Sequence, residues 1–249
     1  MRLTRDVALG GGGDSGFNIS APLDCHVYLL DGGDELALVD AGVGHRTGNT
    51  GLILDNIRAD GYDPARISKL LLTHYHADHA GGAAEINAEL GVPVHGSPLT
   101  ARALVTGDEA AISLDFAKAS GFYPEDYVFQ PCSATGDLVE GESFKVGRLT
   151  VTPYDTPGHC RGHMSLLVES AERRYLIGGD LVFWGGTIVA QNIPDCSIQE
   201  YSASTQKMEG IEFDALLPGH FAISLGNGKR HIDRAAAAFR KLMIPRNAI

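Results

Sequence analysis

The segment Thr73–Gly82, with the sequence THYHADHAGG, decides how the rest of this chain is interpreted. An apolar run, Ile67 to Leu72, leads into it, and a short helical pattern, Ala83 to Leu90, follows it. This order predicts the end of a buried strand, then a loop, then the start of a helix. The loop holds three imidazoles and one carboxylate within six residues, a density that points to chemistry rather than to structure alone.

The histidines and the aspartate of this loop are side chains that transition metals bind. Alternate side chains of an extended segment point the same way, so His74 and His76 are expected to face one spot together. Asp78 and His79 lie where the backbone turns into the helix, so they are expected to face a second spot nearby. A single histidine is usually a polar residue with an ordinary hydrogen-bond partner, but this density favours metal ligands. Imidazole combined with carboxylate suits zinc, iron or manganese.

Composition bounds the class of protein. The chain has 249 residues, of which 44% are apolar and 20% charged, as in a globular protein with a substantial core. The net charge of −11 argues against nucleic acid as the main partner, because phosphate binding requires a basic surface. No signal-peptide core follows Met1, and no run approaches the ~18 apolar residues of a membrane span. We therefore expect a cytoplasmic protein with a small-molecule substrate and without a nucleic-acid or membrane partner. The sequence does not decide between a monomer and a homo-oligomer.

Strand and helix patterns alternate along the chain, and the second half repeats the layout of the first. This layout predicts one domain, residues 1–249, built of two packed sheets with helices outside. The glycine-rich residues 1–22 are expected to form a flexible surface loop that edges the active site. The predicted hairpins pair Cys25–Leu30 with Glu35–Val39 and Met164–Val168 with Arg173–Ile177. The predicted helices are Asn49–Asp60, two pieces between Leu99 and Ser120 that break near Gly107 with Asp108 as an N-cap, Gln199–Met208 and Lys229–Met243.

Three further residues share one local pattern with the histidine loop. His159, Asp180 and His220 each follow an apolar strand, in a loop that contains glycine. A scaffold that places several strand ends at one edge can gather such residues into one site. Seven ligands exceed the four of a single zinc ion and suit two metals with a shared carboxylate. The candidate ligands are His74, His76, Asp78, His79, His159, Asp180 and His220.

These segments together resemble the metallo-β-lactamase superfamily. Thr73–Gly82 is similar to its HxHxDH signature, and 156–159 (TPGH), 179–180 (GD) and 217–220 (LPGH) are similar to its later metal-binding segments. The segment 38–42 (LVDAG) is similar to its first-hairpin signature. The resemblance extends from about residue 23 to residue 240. It implies an α+β fold, an αββα sandwich of two mixed sheets flanked by helices.

The resemblance also implies a role for each ligand. His74, His76 and His159 would hold the first metal, Asp78, His79 and His220 the second, and Asp180 would bridge them. The implied cofactor is two zinc ions per chain, with manganese, cobalt or iron as alternatives. Asp40 would hydrogen-bond a ligand histidine and fix its tautomer.

The resemblance is strongest to the small hydrolases of the superfamily, the lactonases and the enzymes similar to glyoxalase II. It implies a dinuclear zinc hydrolase that cleaves a small lactone or carboxylic ester with a metal-bridging hydroxide, with Asp78 taking or passing the proton. True β-lactamases lack the bridging aspartate, which disfavours penicillin as substrate. An apolar pocket wall is expected from Phe183, Trp184, Tyr123 and Tyr127, unless these aromatic residues are simply part of the core.

Two other activities and one non-enzymatic role stay open. A glutathione thioester hydrolase would need basic residues, which Arg240, Lys241 and Arg246 could supply. A persulfide dioxygenase would use a mononuclear iron site formed by His74 or His76, His159 and Asp180. A metal-sensing protein would bind metal without turnover.

Other histidines and cysteines receive simpler interpretations. His163 is expected to make a structural hydrogen bond, and His45, His95 and His231 to lie in turns or at the surface. The sequence assigns no role to Cys160, His26 or the glycine-rich N-terminus.

Overall fold

The structure is a computed structural model that describes residues 1–44 and 49–248. The chain divides into two compact units, the first formed by Met1–Leu138 and Val146–Arg148, the second by Val139–Lys145 and Leu149–Ile249. The single domain expected for residues 1–249 stays a prediction, and the turn expected at His45 lies outside the described residues. No helix in the described part of the chain is long and apolar enough to cross a membrane.

The first unit is built on a mixed sheet with the strand order β1-β2-β3-β4-β5. β1, β2 and β3 pair antiparallel, and β3, β4 and β5 pair parallel. The strands are β1 (Val7–Gly11), β2 (Val27–Asp31), β3 (Leu36–Val39), β4 (Ile67–Leu71) and β5 (Val94–His95). The helices are α1 (Asn49–Ala59), a 3-10 turn (Pro64–Arg66), α2 (Ala77–Ala80), α3 (Ala83–Leu90), α4 (Pro98–Thr106) and α5 (Leu114–Ala119).

The N-terminal segment differs from its prediction, because part of it is a buried strand rather than a loop. β1 (Val7–Gly11) is buried along its length and pairs with β2. Its glycines let helix α1 pack closely. A Cβ at Gly10 would lie 3.1 Å from Ile57 Cγ1, and one at Gly11 would lie 3.1 Å from Ile53 Cγ1. The glycine run that suggested a flexible loop therefore serves close packing of a helix on a strand.

The helical segment after β5 breaks near Gly107, as the sequence predicts, but Asp108 is not the N-cap of the next helix. α4 ends at Gly107, which adopts φ +62 in the left-handed region that favours glycine. Asp108 does not cap α5. Its Oδ1 accepts from the amides of Ala110 and Ala111 in a turn, and α5 begins only at Leu114. An Asx-type turn thus takes the bonds that were expected to start the helix.

The second unit is built on a mixed sheet with the strand order β10-β9-β8-β7-β6. β9 and β10 pair parallel, while β7, β8 and β9 pair antiparallel. The strands are β6 (Phe144–Val146), β7 (Leu149–Asp155), β8 (Met164–Glu169), β9 (Arg174–Gly179) and β10 (Ala215–Pro218). The helices are a 3-10 turn (Trp184–Gly186), α6 (Ile198–Glu209) and α7 (Lys229–Arg240).

Helix α7 ends three residues before its predicted end. Its apolar stripe is buried as expected at Ile232, Ala235 and Phe239, in a core that also contains Tyr201. Leu242, expected on the same stripe, adopts φ +58 and is 97% exposed. The turn that closes α7 therefore carries Leu242 away from the core.

Candidate metal centre

The ends of neighbouring parallel strands place the candidate residues of the first unit. β3 pairs in register with β4, with Val39 opposite Leu71, so the segments after both strands leave the sheet at one edge. Asp40 follows β3, and Thr73 and His74 follow β4. The backbone amide of Asp40 donates to Leu71 O over 2.9 Å, which ties the two segments together.

The three imidazoles of the histidine loop lie close together, His79 at least as near to His74 as His76 is. The rings of His74 and His76 have centroids 4.8 Å apart, and those of His74 and His79 are 4.0 Å apart. His74 and His79 are buried, and His76 is partly exposed. His79 belongs to α2, which begins directly after His76.

Asp40 makes the hydrogen bond that the resemblance implies for it. Its Oδ2 accepts from His79 Nδ1 over 2.9 Å, and its Oδ1 accepts from the amide of Thr73 over 2.8 Å. Because a carboxylate only accepts, His79 carries its proton on Nδ1, which leaves Nε2 as the donor atom for a metal. Cys25 lies in the same buried group. Burial raises the pKa of its thiol to about 12, against a lowering by His79, so it stays a neutral thiol.

The two oxygens of Asp78 face different partners. Oδ2 lies 3.7 Å from His79 Nε2, and Oδ1 accepts a hydrogen bond from the Tyr123 hydroxyl over 3.3 Å. Burial, and after it the charge of Asp78, raises the pKa of Tyr123 well above its ordinary value, so the phenol stays protonated and donates. This contact was missed in the sequence, which assigned Tyr123 only to a pocket wall, because 45 residues separate the partners.

The candidate residues of the second unit also lie together. Asp180 follows β9, and His220 follows β10, which is its parallel neighbour. His159 Nε2 and His220 Nε2 each lie 3.5 Å from Asp180 Oδ2. His159 donates from Nδ1 to Val189 O over 3.1 Å, so its Nε2 is the donor atom for a metal.

His163 makes the structural hydrogen bond predicted for it. The backbone amide of Asp180 donates to His163 Nε2 over 2.9 Å. His163 Nδ1 therefore carries the proton, and it donates to Thr156 Oγ1 over 2.9 Å. The Tyr201 hydroxyl donates to the carbonyl of Asp180 over 2.9 Å. The backbone of Asp180 is thus held on both sides of its Cα.

The donor atoms in each unit fit a metal of the kind the sequence implies. Two atoms bound at about 2.1 Å to one tetrahedral ion lie roughly 3.4 Å apart. The separations of 3.5 Å about Asp180 Oδ2 and of 3.7 Å between Asp78 and His79 lie near that value. The donor chemistry, imidazole nitrogen with carboxylate oxygen, is that of zinc, manganese and iron sites.

The four aromatic residues expected in a pocket wall occupy different environments. Tyr123 lines a cleft of about 680 Å³ in the first unit, together with Leu23 and Phe122. Tyr127 is buried and donates its hydroxyl to Val43 O over 2.8 Å. Phe183 is also buried, with its ring centroid 5.2 Å from that of Phe221. Trp184 is 47% exposed.

The surface position expected for His231 is wrong. His231 is fully buried in α7, and its Nδ1 accepts from the backbone amide of Gly185 over 2.9 Å. The signal was present in the sequence, because His231 precedes Ala235 and Phe239 at helical spacing on the apolar face. His26 and Cys160, whose roles the sequence left undetermined, are buried as well. Gly16 packs on His26, since a Cβ there would lie 2.3 Å from His26 Nε2.

Comparison with known proteins identifies the family. The model of the metallo-beta-lactamase superfamily matches residues 21–220. The chain is 26% identical to an atrochrysone carboxyl ACP thioesterase of Aspergillus fumigatus, over 80% of this chain and 51% of that protein. It is 27% identical to the acyl-coenzyme A thioesterase MBLAC2 of Bos taurus, over 79% of this chain and 72% of that protein. The chain thus spans about half the length of the fungal relative.

The solved structures agree on the fold. A metallo-beta-lactamase of Cronobacter sakazakii superposes with a TM-score of 0.72 at 22% identity, covering 97% of this chain and 96% of that one. The predicted fold class, two mixed sheets with flanking helices, is confirmed. The chain belongs to the metallo-β-lactamase superfamily.

Proposed function

We propose that this protein is a metal-dependent hydrolase that cleaves an acyl thioester. The observation that carries the proposal is the set of imidazole and carboxylate donors at metal-ligand spacing in a chain of this superfamily. Thioester as the bond is supported by two curated relatives that are named as thioesterases. A cytoplasmic location and a small-molecule substrate, both expected from the sequence, belong to the same proposal.

The proposed metal ligands are those that the sequence resemblance implies. His74, His76 and His159 would hold one ion, and Asp78, His79 and His220 another, with Asp180 shared. We propose zinc for both, with manganese, cobalt or iron as alternatives. When bound, such ions lower the pKa of a coordinated water and polarise the carbonyl of the substrate.

The residues of the chain prepare the ligands and move the proton. Asp40 holds His79 in the tautomer with Nε2 as donor atom. Asp78 has one carboxylate oxygen directed to His79 Nε2 and the other bonded by Tyr123, so it is the base proposed to accept the proton of the attacking water. His163 and Tyr201 hold the backbone of Asp180 and so limit the movement of its carboxylate.

The cleft beside Tyr123 is the proposed site for the acyl group. Tyr123 both lines this cleft and bonds Asp78, so a group in the cleft lies against the residue that orients the proposed base. Phe122 adds an exposed aromatic ring. Among the described residues that line the cleft, Lys118 is the one cation, and it forms an ion pair with Glu109. Because Lys118 is paired and Glu125 in the same lining would repel carboxylates, an uncharged acyl group is favoured there over glutathione.

A lactone or carboxylic ester is the second candidate, and the same cleft favours it. The aromatic lining formed by Phe122 and Tyr123 suits a compact ring as well as an open acyl chain. The metal chemistry for attack on an ester carbonyl is the same as for a thioester. The persulfide dioxygenase, which the sequence left open, predicts one iron per chain and oxygen uptake.

The test is a panel of acyl thioesters, esters and lactones offered to the metal-loaded protein. We expect thioesters to turn over fastest and Asp78→Asn to lower kcat by at least about 100-fold. Asp63→Asn is the matched control, since Asp63 only caps the 3-10 turn at Pro64, where asparagine serves equally. Turnover of lactones alone would favour the second candidate. No turnover of any panel member by a fully metal-loaded protein would contradict the proposal.

A further inference from the structure

An exposed tryptophan in the second unit is held in place by helix α7. Trp184 is the single tryptophan of the chain and is 47% exposed. Its ring centroid lies 4.6 Å from that of His231, and the guanidinium carbon of Arg230 lies 4.9 Å from the same centroid. A single exposed aromatic side chain is common at a protein surface, but the indole of Trp184 is also held by a ring and a guanidinium group of the same helix.

Hydrogen bonds and close packing against α7 hold the backbone around Trp184. The amide of Gly185 donates to His231 Nδ1 over 2.9 Å, and the amide of Phe183 donates to Thr187 O over 2.8 Å. Gly186 lies so close to α7 that a Cβ there would be 2.8 Å from Arg234 Cβ. A ligand that binds to the indole would therefore lose little free energy in ordering the loop.

The basic residues of α7 divide into two kinds. Lys229 forms an ion pair with Asp233 over 2.6 Å, and Arg240 forms one with Glu209. Arg230 and Arg234 make no ion pair within residues 1–44 and 49–248. Burial, Arg230 and Arg234 lower the pKa of His231 to about 4, so His231 adds no charge of its own near pH 7. In a chain with a net charge of −11, the surface beside Trp184 thus presents two guanidinium groups without carboxylate partners.

We propose that Trp184, Arg230 and Arg234 bind a purine nucleoside phosphate, the anionic end of a coenzyme A thioester. Guanidinium groups bind phosphate oxygens by paired hydrogen bonds, and a nucleobase stacks on indole or on a guanidinium plane. This inference rests on the proposed thioesterase activity. It adds that the thiol of the substrate is coenzyme A.

The position of Trp184 near the proposed metal ligands suits a site for the coenzyme A part of a thioester substrate. Trp184 lies four residues after Asp180, in the loop that follows β9. The intervening Phe183 has its ring centroid 6.4 Å from that of His220. Trp184 is therefore the residue directly after Phe183, whose ring approaches the proposed metal ligand His220. Glutathione offers neither a phosphate nor a nucleobase to this surface.

The single tryptophan gives a direct readout of binding. Purified protein is titrated with adenosine 3′,5′-bisphosphate, and in parallel with adenosine, while the fluorescence of Trp184 is recorded. We expect saturable quenching by the bisphosphate and little by adenosine. Arg230→Ala/Arg234→Ala should weaken binding by at least about tenfold. The matched control, Lys229→Ala/Arg240→Ala, removes the same charge from the same helix and should bind as the parent does.

Three outcomes would overturn the inference. These are no binding by fluorescence or calorimetry, equal quenching by adenosine, and equal weakening in both double variants, which would indicate a general charge effect. A folded Trp184→Ala variant that binds the bisphosphate as tightly as the parent by calorimetry would also overturn it, because the indole would then not belong to the site.

A kinetic comparison separates this inference from the proposed activity. Arg230→Ala/Arg234→Ala should raise KM for an acyl-coenzyme A with kcat retained, and should leave KM for the matching acyl-N-acetylcysteamine unchanged. If neither thioester turns over but the bisphosphate binds at Trp184, the proposed activity fails and the site stands. If both turn over and the variant changes neither KM, the activity stands and the site fails.

Discussion

The Tyr123 hydroxyl donates to Oδ1 of Asp78 over 3.3 Å, and this contact fixes which oxygen of the carboxylate faces His79 Nε2. A fixed orientation of this kind matters because ligand carboxylates that rotate bind metal less tightly. We therefore expect Tyr123→Phe to weaken metal binding and to lower kcat, each by about 10- to 100-fold. The affinity is measured on substrate-free protein by competition with a chelator.

Tyr127→Phe is the matched control for this prediction. Tyr127 lies beside Tyr123, with ring centroids 5.1 Å apart, but its hydroxyl bonds the carbonyl of Val43 rather than Asp78. We expect it to lose stability, by about 1 kcal/mol, without losing metal affinity. Equal metal affinity in the two variants would refute a positioning role for Tyr123.

Asp40→Asn tests the tautomer of His79. Asp40 has φ +63, a conformation that asparagine tolerates, so the backbone should keep its path. In Asp40 one carboxylate oxygen accepts from Thr73 and the other from His79. Asparagine has a single oxygen, so it can accept from Thr73 but no longer offers His79 Nδ1 a second acceptor. We expect metal affinity to fall by about 10- to 100-fold, with the fold retained by circular dichroism. Unchanged affinity would show that His79 needs no partner at Nδ1.

His163→Ala tests the support of the Asp180 backbone. The substitution leaves the buried amide of Asp180 without its acceptor and removes a partner of Thr156. We expect the metal-free protein to lose about 2–4 kcal/mol of unfolding free energy, measured by urea denaturation, from the lost bonds and the cavity. His95→Ala, at a partly exposed pair with Asp137, should cost less than about 1 kcal/mol. A similar small loss in both variants would contradict this account of His163.

The lowered pKa of Glu35 should make the unfolding free energy of the metal-free protein fall in acid. Burial alone would raise the pKa of Glu35, but bonds from Lys69, Ser68 and the Gly147 amide outweigh it and lower the pKa to about 2. Because the folded pKa lies below the unfolded one, this stability is present above about pH 4.5 and is lost as the pH falls toward 2. Glu35→Gln should flatten the pH dependence of urea unfolding in that window. An unchanged pH dependence would contradict the assignment.

The positions of the candidate ligands could be predicted from the sequence because each belongs to a short segment at a strand end. His74 and His76 are two residues apart in the segment that follows β4, and Asp180 and His220 follow strands that pair in parallel. Local spacing and strand pairing therefore suffice to bring them together within each unit. The fold class followed from the same segments.

The features that were missed depend on contacts that no local pattern encodes. The glycines of β1 predict a loop because glycine favours turns, but in the structure they let the strand pack closely on Ile53 and Ile57 of α1. Tyr123 and Asp78 meet across 45 residues of chain. The contact between the rings of Trp184 and His231 joins a loop to a helix 47 residues further on. Contacts of this kind are set by tertiary packing, which composition and periodicity do not specify.

The number of metal ions bound per chain distinguishes a dinuclear hydrolase from a mononuclear iron enzyme. Purified protein is analysed by elemental mass spectrometry, and the metal found is expressed per chain. We expect about two ions of zinc, or of manganese or cobalt, and about one in a folded His79→Ala variant. One iron per chain, unchanged by His79→Ala, would contradict a dinuclear hydrolase and favour oxygen-dependent chemistry.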